Sequence, residues 1–231
     1  MIPLRDDNPS QTAPVVTRAL IVVNTLAFLY ELSLGRGLAP FVYAWGLVPA
    51  RLTASLAGAV PLPPAAATAL TSMFLHGGWI HLLGNMWYLW LFGDNVEDRL
   101  GHGRYLLFYL ASGLVSAAAQ VYVNPGSPVP TVGASGAIAG VLGAYALAFP
   151  RARVLTLVPV FFFFQVLSLP ALVVLGLWFV VQFFSGALAI GAGVSGGIAW
   201  WAHIAGFVFG FVAMALLGGR RPRSRAWVAR G

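Results

Sequence analysis

The sequence predicts an all-α integral membrane protein, and three observations carry this prediction. Of its 231 residues, 59% are hydrophobic and only 8% are charged, with a mean hydropathy of +0.85. A soluble domain has about a quarter charged residues, so this chain lacks the polar groups to cover a surface in water. Its apolar residues fall in runs of roughly 20, the length that a spanning helix needs. Arginines gather at the ends of these runs.

Six apolar runs are long enough to be spanning helices. They cover about residues 15–34, 79–99, 105–123, 133–149, 168–187 and 198–218. The apolar stretch after the fourth run is too long for one upright helix, and Pro159, Gln165 and Pro170 interrupt it. We therefore expect 151–168 to be an interfacial or partly folded-back segment. The fifth helix should begin near Pro170, a residue suited to a first helical turn.

The arginines indicate the orientation of the bundle. They precede span one, separate spans two and three and spans four and five, and follow span six. The opposite side has only Arg36 and Arg51. Because cytoplasmic loops carry the excess of basic residues, both termini are predicted to be cytoplasmic. The Ala-, Gly- and Arg-rich composition favours a bacterial cytoplasmic membrane.

These spans divide the chain into three predicted parts. They are a cytoplasmic N-terminal segment at 1–14, a membrane domain at 15–218 and a basic cytoplasmic tail at 219–231 that can anchor to anionic lipid. Within the membrane domain, the long first loop at about 35–78 is largely apolar. We expect it to lie at the outer membrane surface.

Composition also excludes several classes of function. The net charge of +7 would suggest nucleic acid for a soluble protein, but these arginines match membrane topology, so the predicted partner is the bilayer and not a nucleic acid. The chain has no cysteine, which removes disulfides, thiolate metal sites and a cysteine nucleophile. Its four histidines form no persuasive metal-ligand set, and no metal or cofactor is predicted.

Four polar side chains interrupt the apolar runs at similar depth. Such groups are costly inside a membrane and therefore indicate function. His81 and Asn85 are four residues apart near the start of span two, so they share one helix face. Ser135 opens span four and His203 lies near the start of span six. Since spans two, four and six run in the same direction, all four groups should meet near the outer face.

Small residues predict a close contact between spans four and six. The glycines expected to pack near the site are Gly133, Gly136, Gly140, Gly206 and Gly210. Both spans contain the G-x-x-x-G spacing, which lets helix backbones approach. A tight crossing would bring Ser135 within hydrogen-bond reach of His203. A hydroxyl beside a base is the arrangement that nucleophilic catalysis requires.

A serine hydrolase site also needs oxyanion donors and often has an acid beside the histidine. The acids of span two lie at its cytoplasmic end, and Glu31 has no evident route to His203. A serine–histidine dyad is therefore expected, a reduced form of the serine–histidine–acid triad. Backbone N–H groups at the helix start of Ser135, with His81 and Asn85, could stabilise an oxyanion.

Each feature also has a structural interpretation. A serine at a helix start is more often a cap or a packing residue, and G-x-x-x-G occurs in many membrane helices. His76 and His102 are interpreted as loop or interface residues. The functional interpretation gains weight because polar groups on three helices converge at one depth.

Three segments together resemble the rhomboid family of intramembrane serine proteases. They are "HGGWIHLLGNMWYLWLFGDNVEDRLG" at 76–101, "GASG" at 133–136 and "AHIAGFVFG" at 202–210. The resemblance covers about residues 70–220. It implies a six-helix core that cleaves transmembrane protein substrates in or near their membrane segments. It also implies that Ser135 is the nucleophile and His203 the general base, with His81 and Asn85 on the oxyanion side.

The chain departs from this family at two places. Many members have a Trp-Arg pair in the first loop, where this sequence has Ala67 and Thr68. Some members have a tyrosine that stacks on the histidine, where this sequence has Ala139. Another residue is therefore expected to hold His203.

Two other functions are compatible with a polar cluster in a membrane bundle. A rhomboid-like pseudoprotease would bind membrane proteins without cutting them, but such proteins usually lack the serine or the histidine. A small transporter or channel would favour polar groups at several depths, whereas here they gather near one face.

Overall fold

Six long helices make up the body of the computed structural model, which describes residues 1–59, 61–160, 163–191 and 199–218. In chain order the elements are β1 Ile2–Asp6, α1 Val15–Ser33, α2 Leu38–Trp45, α3 Pro49–Leu56, α4 Leu62–Thr71, α5 Trp79–Leu100, α6 His102–Val123, α7 Ser135–Ala148, β2 Arg153–Val160, β3 Phe163–Pro170, α8 Ala171–Gly191 and α9 Trp200–Leu217. The predicted basic tail at 219–231 lies outside the described residues.

The six predicted apolar runs coincide with α1 and α5 to α9, with ends that differ by a few residues. By length and composition, α1, α6, α8 and α9 are able to cross a membrane. The apolar helix α7 is shorter, with 14 residues, and α5 ends in a charged turn. A predominantly helical, multi-pass integral membrane protein is therefore confirmed.

A small antiparallel sheet is added to this helical body. Its strand order is β1-β2-β3, and β2 pairs with β3 from Arg153 opposite Pro170 to Val160 opposite Phe163. The predicted folded-back segment is thus a β-hairpin. The sequence is rich in β-branched and aromatic residues, which favour strands, but a short apolar run does not distinguish a strand from a buried helix.

The long first loop folds into the short helices α2, α3 and α4. The guanidinium group of Arg51 donates hydrogen bonds to the carbonyl oxygens of Tyr43, Ala44 and Gly46, at 2.9 to 3.2 Å. It therefore satisfies carbonyl groups at the end of α2, which would otherwise lack partners. Thr68, at one position of the missing Trp-Arg pair, is buried and donates its hydroxyl to Ala65 O.

The buried carboxylate of Glu97 joins α5 to the start of α1. It accepts hydrogen bonds from the N–H of Val16 at 2.9 Å and from the N–H and hydroxyl of Thr17 at 2.8 and 2.7 Å. The N-cap residue of α1, Pro14, makes no side-chain cap. Glu97 therefore caps this helix from another element, and it also contacts His102 Nδ1 at 2.6 Å.

Helices α7 and α9 cross with their backbones in contact. A Cβ atom added to Gly206 would overlap the carbonyl oxygen of Gly136, and one added to Gly210 would overlap that of Gly140. Ser112 and Ser116 of α6 press on the same two α7 glycines. Only glycine permits this approach, since any other residue carries a Cβ at the contact.

We expect Gly210→Ala to destabilise the protein by about 1–3 kcal/mol, because the added methyl group has to separate α7 from α9. The matched control is Gly176→Ala in α8, where an added Cβ meets nothing within 4 Å. That change should be neutral or stabilising by roughly 0.5–1 kcal/mol. Equilibrium unfolding in mixed detergent micelles measures both. Equal stability of the two variants would contradict the contact.

The N-terminal segment is tied to the end of α7. The hydroxyl of Tyr145 donates a hydrogen bond to Asp6 Oδ2 at 2.6 Å. Burial raises the pKa of Asp6 from 3.8 to about 6, since a charge is disfavoured there. The folded protein thus holds this proton more tightly than the unfolded chain does.

Stability should consequently fall as pH rises from about 4 to about 6, because the unfolded chain ionises Asp6 over that interval while the folded state still holds the proton. Asp6→Asn keeps an acceptor for Tyr145 and removes the titration. Its melting temperature should depend less steeply on pH between pH 4 and 7 than that of the wild type. Thermal unfolding measured across this range checks it. Parallel curves for the two proteins would refute the assignment to Asp6.

Candidate active site

One cavity of about 980 Å³ collects the polar residues predicted from the sequence. Ser135, His203, His81 and Asn85 all line it, and so does Gln182. They come from α7, α9, α5 and α8. The helix bundle thus gathers at one cavity the side chains that lie far apart in the chain.

Ser135 is the first residue of α7. Gly133, two residues earlier, has φ +127°, a conformation that favours glycine, and its N–H donates to Ser72 O at 2.9 Å. The first hydrogen bond of the helix runs from Ile138 N–H to Ala134 O. The N–H groups of Ser135 and Gly136 come before it, so they have no carbonyl partner within the helix.

His203 lies in the first turn of α9 and meets Ser135 directly. Its Nε2 atom is 2.7 Å from Ser135 Oγ. The glycine contact described above brings α7 and α9 close enough for this hydrogen bond. Both side chains are partly exposed to the cavity.

Gln182 of α8 makes the second hydrogen bond to His203. Its Oε1 atom lies 2.7 Å from His203 Nδ1, and the Gln182 residue is 8% exposed. An amide oxygen can only accept, so Nδ1 carries the proton of the neutral ring. The lone pair of Nε2 then faces the hydroxyl of Ser135, as a general base requires.

Sequence reasoning missed Gln182, although it required some residue to replace the tyrosine lost at Ala139. The available signal was a single amide inside the apolar run "LVVLGLWFVVQFFSGALAI". Trp178, one turn earlier on α8, places its ring 6.0 Å from that of His203, centre to centre. Helix α8 therefore supplies two neighbours of the histidine ring, Gln182 and Trp178.

His81 and Asn85 border the turn before Ser135. The Nδ1 atom of His81 accepts a hydrogen bond from Gly77 N–H at 3.3 Å, which leaves Nε2 as the donor of the neutral ring. A Cβ on Gly133 would lie 2.7 Å from His81 Nε2 and 3.6 Å from Asn85 Nδ2. Gly133 was expected among the helix-packing glycines, but it lies before α7 and makes room for these side chains.

His76 lies in a loop, as expected, but it is only 3% exposed. Its Nε2 atom is 3.0 Å from Asn85 Nδ2, so the ring accepts one amide proton of Asn85. Burial lowers the pKa of His76 from 6.5 to about 4, which keeps the ring neutral at physiological pH. Its backbone N–H donates to Glu31 Oε1 at 3.0 Å. Glu31 thus supports this loop and makes no contact with His203.

A family model matches the part of the chain that contains all of these residues but Glu31. The family model of the Rhomboid domain matches residues 64–220. The rhomboid protease GluP of Bacillus subtilis is 48% identical over 75 residues, which cover 32% of this chain and 14% of GluP. The putative rhomboid protease YdcA of the same organism is 41% identical over 76 residues, covering 33% of this chain and 38% of YdcA.

A more distant relative is matched over a longer stretch. The presenilin-associated rhomboid-like protein A, mitochondrial, of Danio rerio is 34% identical over 131 residues, which cover 54% of this chain and 34% of that protein. The chain therefore spans less than two fifths of the length of each of these three relatives. Since the family model covers more than half of the chain, the protein belongs to the rhomboid family.

Proposed function

We propose that this protein is an intramembrane serine endopeptidase. The observation that carries the proposal is the 2.7 Å hydrogen bond between Ser135 Oγ and His203 Nε2 at the wall of a cavity within the helix bundle. Membership of the rhomboid family supports it. The reaction needs no metal or cofactor, because a hydroxyl, a base and oxyanion donors suffice for acyl transfer.

The proposed reaction proceeds through an acyl-enzyme. His203 Nε2 takes the proton of Ser135 as Oγ attacks the carbonyl carbon of the scissile peptide bond. The protonated histidine then gives this proton to the leaving amine as the carbon–nitrogen bond breaks. Next, a water molecule gives a proton to His203 and attacks the ester. Collapse of the second tetrahedral species returns the proton to Ser135 Oγ and releases the acid.

The negative charge that develops on the carbonyl oxygen requires hydrogen-bond donors. Those available at the start of α7 are the N–H groups of Ser135 and Gly136. His81 offers its Nε2–H, and Asn85 has a second amide proton in addition to the one that His76 accepts. These groups are fixed before substrate binds, which is what makes such donors effective.

The proposed substrates are transmembrane proteins, cut in or near their membrane segments. A substrate would enter from the lipid past α8, and a helix-breaking or small residue at the cut would help, since a helical peptide bond is shielded. The arginine distribution supports six spans with both termini in the cytoplasm and the site near the outer face. The proposed parts are the segment 1–14, the membrane domain 15–218 and the tail 219–231, in a bacterial cytoplasmic membrane.

Removal of either dyad member should abolish cleavage of a purified transmembrane substrate. We expect Ser135→Ala and His203→Ala to lower the rate more than about 10³-fold, because nucleophile and base act as a unit. Ser135→Ala should also stop labelling by a fluorophosphonate. The matched controls are Ser33→Ala and His102→Ala, which change the same residue types away from the cavity and should retain cleavage.

The outcome of this experiment also separates the alternatives. Undiminished cleavage by Ser135→Ala would refute the dyad. A wild-type protein that binds the substrate, does not cut it and does not react with the fluorophosphonate would indicate a pseudoprotease.

Loss of an oxyanion donor should lower kcat without preventing formation of the dyad. We expect Asn85→Ala to reduce kcat by about 10²–10³-fold, as removal of one such donor does in other serine hydrolases. The steady-state rate and KM should be measured together with the melting temperature, because Asn85 also contacts His76. An unchanged kcat in a folded variant would exclude Asn85 from this role.

A further inference from the structure

We propose that Gln182 is a positioning residue for His203, the third member of the site in place of an acid. The inference rests on the proposed function and concerns how α8 makes the dyad competent. Gln182 touches the far side of the imidazole ring and not the attacking hydroxyl, so it acts through the histidine.

The geometry forms a continuous chain of three groups from three helices. Gln182 Oε1 lies 2.7 Å from His203 Nδ1, and His203 Nε2 lies 2.7 Å from Ser135 Oγ. Gln182 is 8% exposed, in a helix whose other residues are almost all apolar. A buried amide forms a hydrogen bond because desolvation without one is costly. The hydrogen bond between them therefore fixes the orientation of both side chains, Gln182 and His203.

The chemical identity of the facing atom decides which nitrogen is basic. With the amide oxygen on Nδ1, the proton stays there and Nε2 can accept the proton of Ser135. An amide nitrogen at the same place would donate to Nδ1. The proton would then reside on Nε2 and the ring could no longer act as a base toward Ser135. With its amide oxygen in this position, Gln182 therefore holds the ring in the productive tautomer.

An amide differs from the acid of a complete triad in one respect. A carboxylate both orients the ring and stabilises the imidazolium that forms during the reaction. Gln182 is neutral and supplies only the orientation and the tautomer. The site should therefore tolerate an acid at position 182 and respond to it with a changed dependence on pH.

Helix α8 supplies a second contact to the same ring. Trp178 lies one turn before Gln182, and its ring centre is 6.0 Å from that of His203. Trp178 and Gln182 contact the ring in place of the tyrosine that some family members have on α7, where this chain has only the methyl group of Ala139. A competent dyad consequently requires α8 to be seated against α9.

The test compares Gln182→Met with Gln182→Glu, and with Gln165→Met as the matched control. Methionine keeps the length of glutamine and removes the acceptor, whereas glutamate keeps an acceptor. Gln165 lies on the exposed strand β3 and undergoes the same change outside the cavity. Each variant is assayed with a purified transmembrane substrate for kcat and KM between pH 5 and 9, beside wild type and Ser135→Ala.

We expect Gln182→Met to lower kcat by about 10- to 100-fold with little change in KM, a part of the roughly 10²–10⁴-fold effect of a general base. Gln165→Met should keep wild-type kcat. Gln182→Glu should recover most of the activity, and the acidic limb of its profile should move to higher pH, because a carboxylate beside His203 favours the imidazolium.

Two results would overturn the proposal. One is an unchanged kcat in folded Gln182→Met. The other is a Gln182→Glu protein whose acidic limb coincides with that of the wild type, and this second result decides the matter even if the methionine variant does not fold. Failure of the proposed function is recognised separately, since then neither wild type nor any variant cleaves more than Ser135→Ala does.

Discussion

The backbone contact between α7 and α9 is the constraint on which the site depends. Gly206 and Gly210 face the carbonyl groups of Gly136 and Gly140, so the backbones of the two helices are in contact. Ser135 is the first residue of one helix and His203 lies in the first turn of the other. The 2.7 Å hydrogen bond between their side chains thus follows from the packing of glycines that lie between one residue and two turns further along the two helices.

Each group of the site is supported by a residue from a different element. Gln182 of α8 faces Nδ1 of His203, and His76 of the loop before α5 faces the amide of Asn85. Such partners fix the proton positions and the orientations of the groups that would contact a substrate. The cavity is therefore an arrangement of paired side chains in an apolar bundle, where an unpaired polar group would be costly.

At the C-terminal ends of α5 and α7, away from the cavity, polar side chains hold structural elements together. Glu97 caps α1, and Asp6 accepts a hydrogen bond from the hydroxyl of Tyr145. Strand β1 pairs with β2, which pairs in turn with β3. This sheet connects the N-terminal segment to α8, because β3 ends at Pro170 and α8 begins at the next residue. Glu97 and Asp6 thus have structural partners at this end, away from Ser135 and His203.

The sequence by itself determined the membrane class, the positions of the six long helices and the motifs of the rhomboid family. These features follow from local composition and spacing: apolar runs of spanning length, and Ser135 and His203 within short glycine-containing segments. The roles of these two residues remain predictions. Only the tertiary structure decided that Gln182 meets His203, that His76 is buried against Asn85, and that β2 and β3 pair as antiparallel strands. The first depends on which helices pack together. The other two concern neighbouring parts of the chain, but a short apolar run does not distinguish a strand from a buried helix, and a loop histidine shows no burial in its sequence.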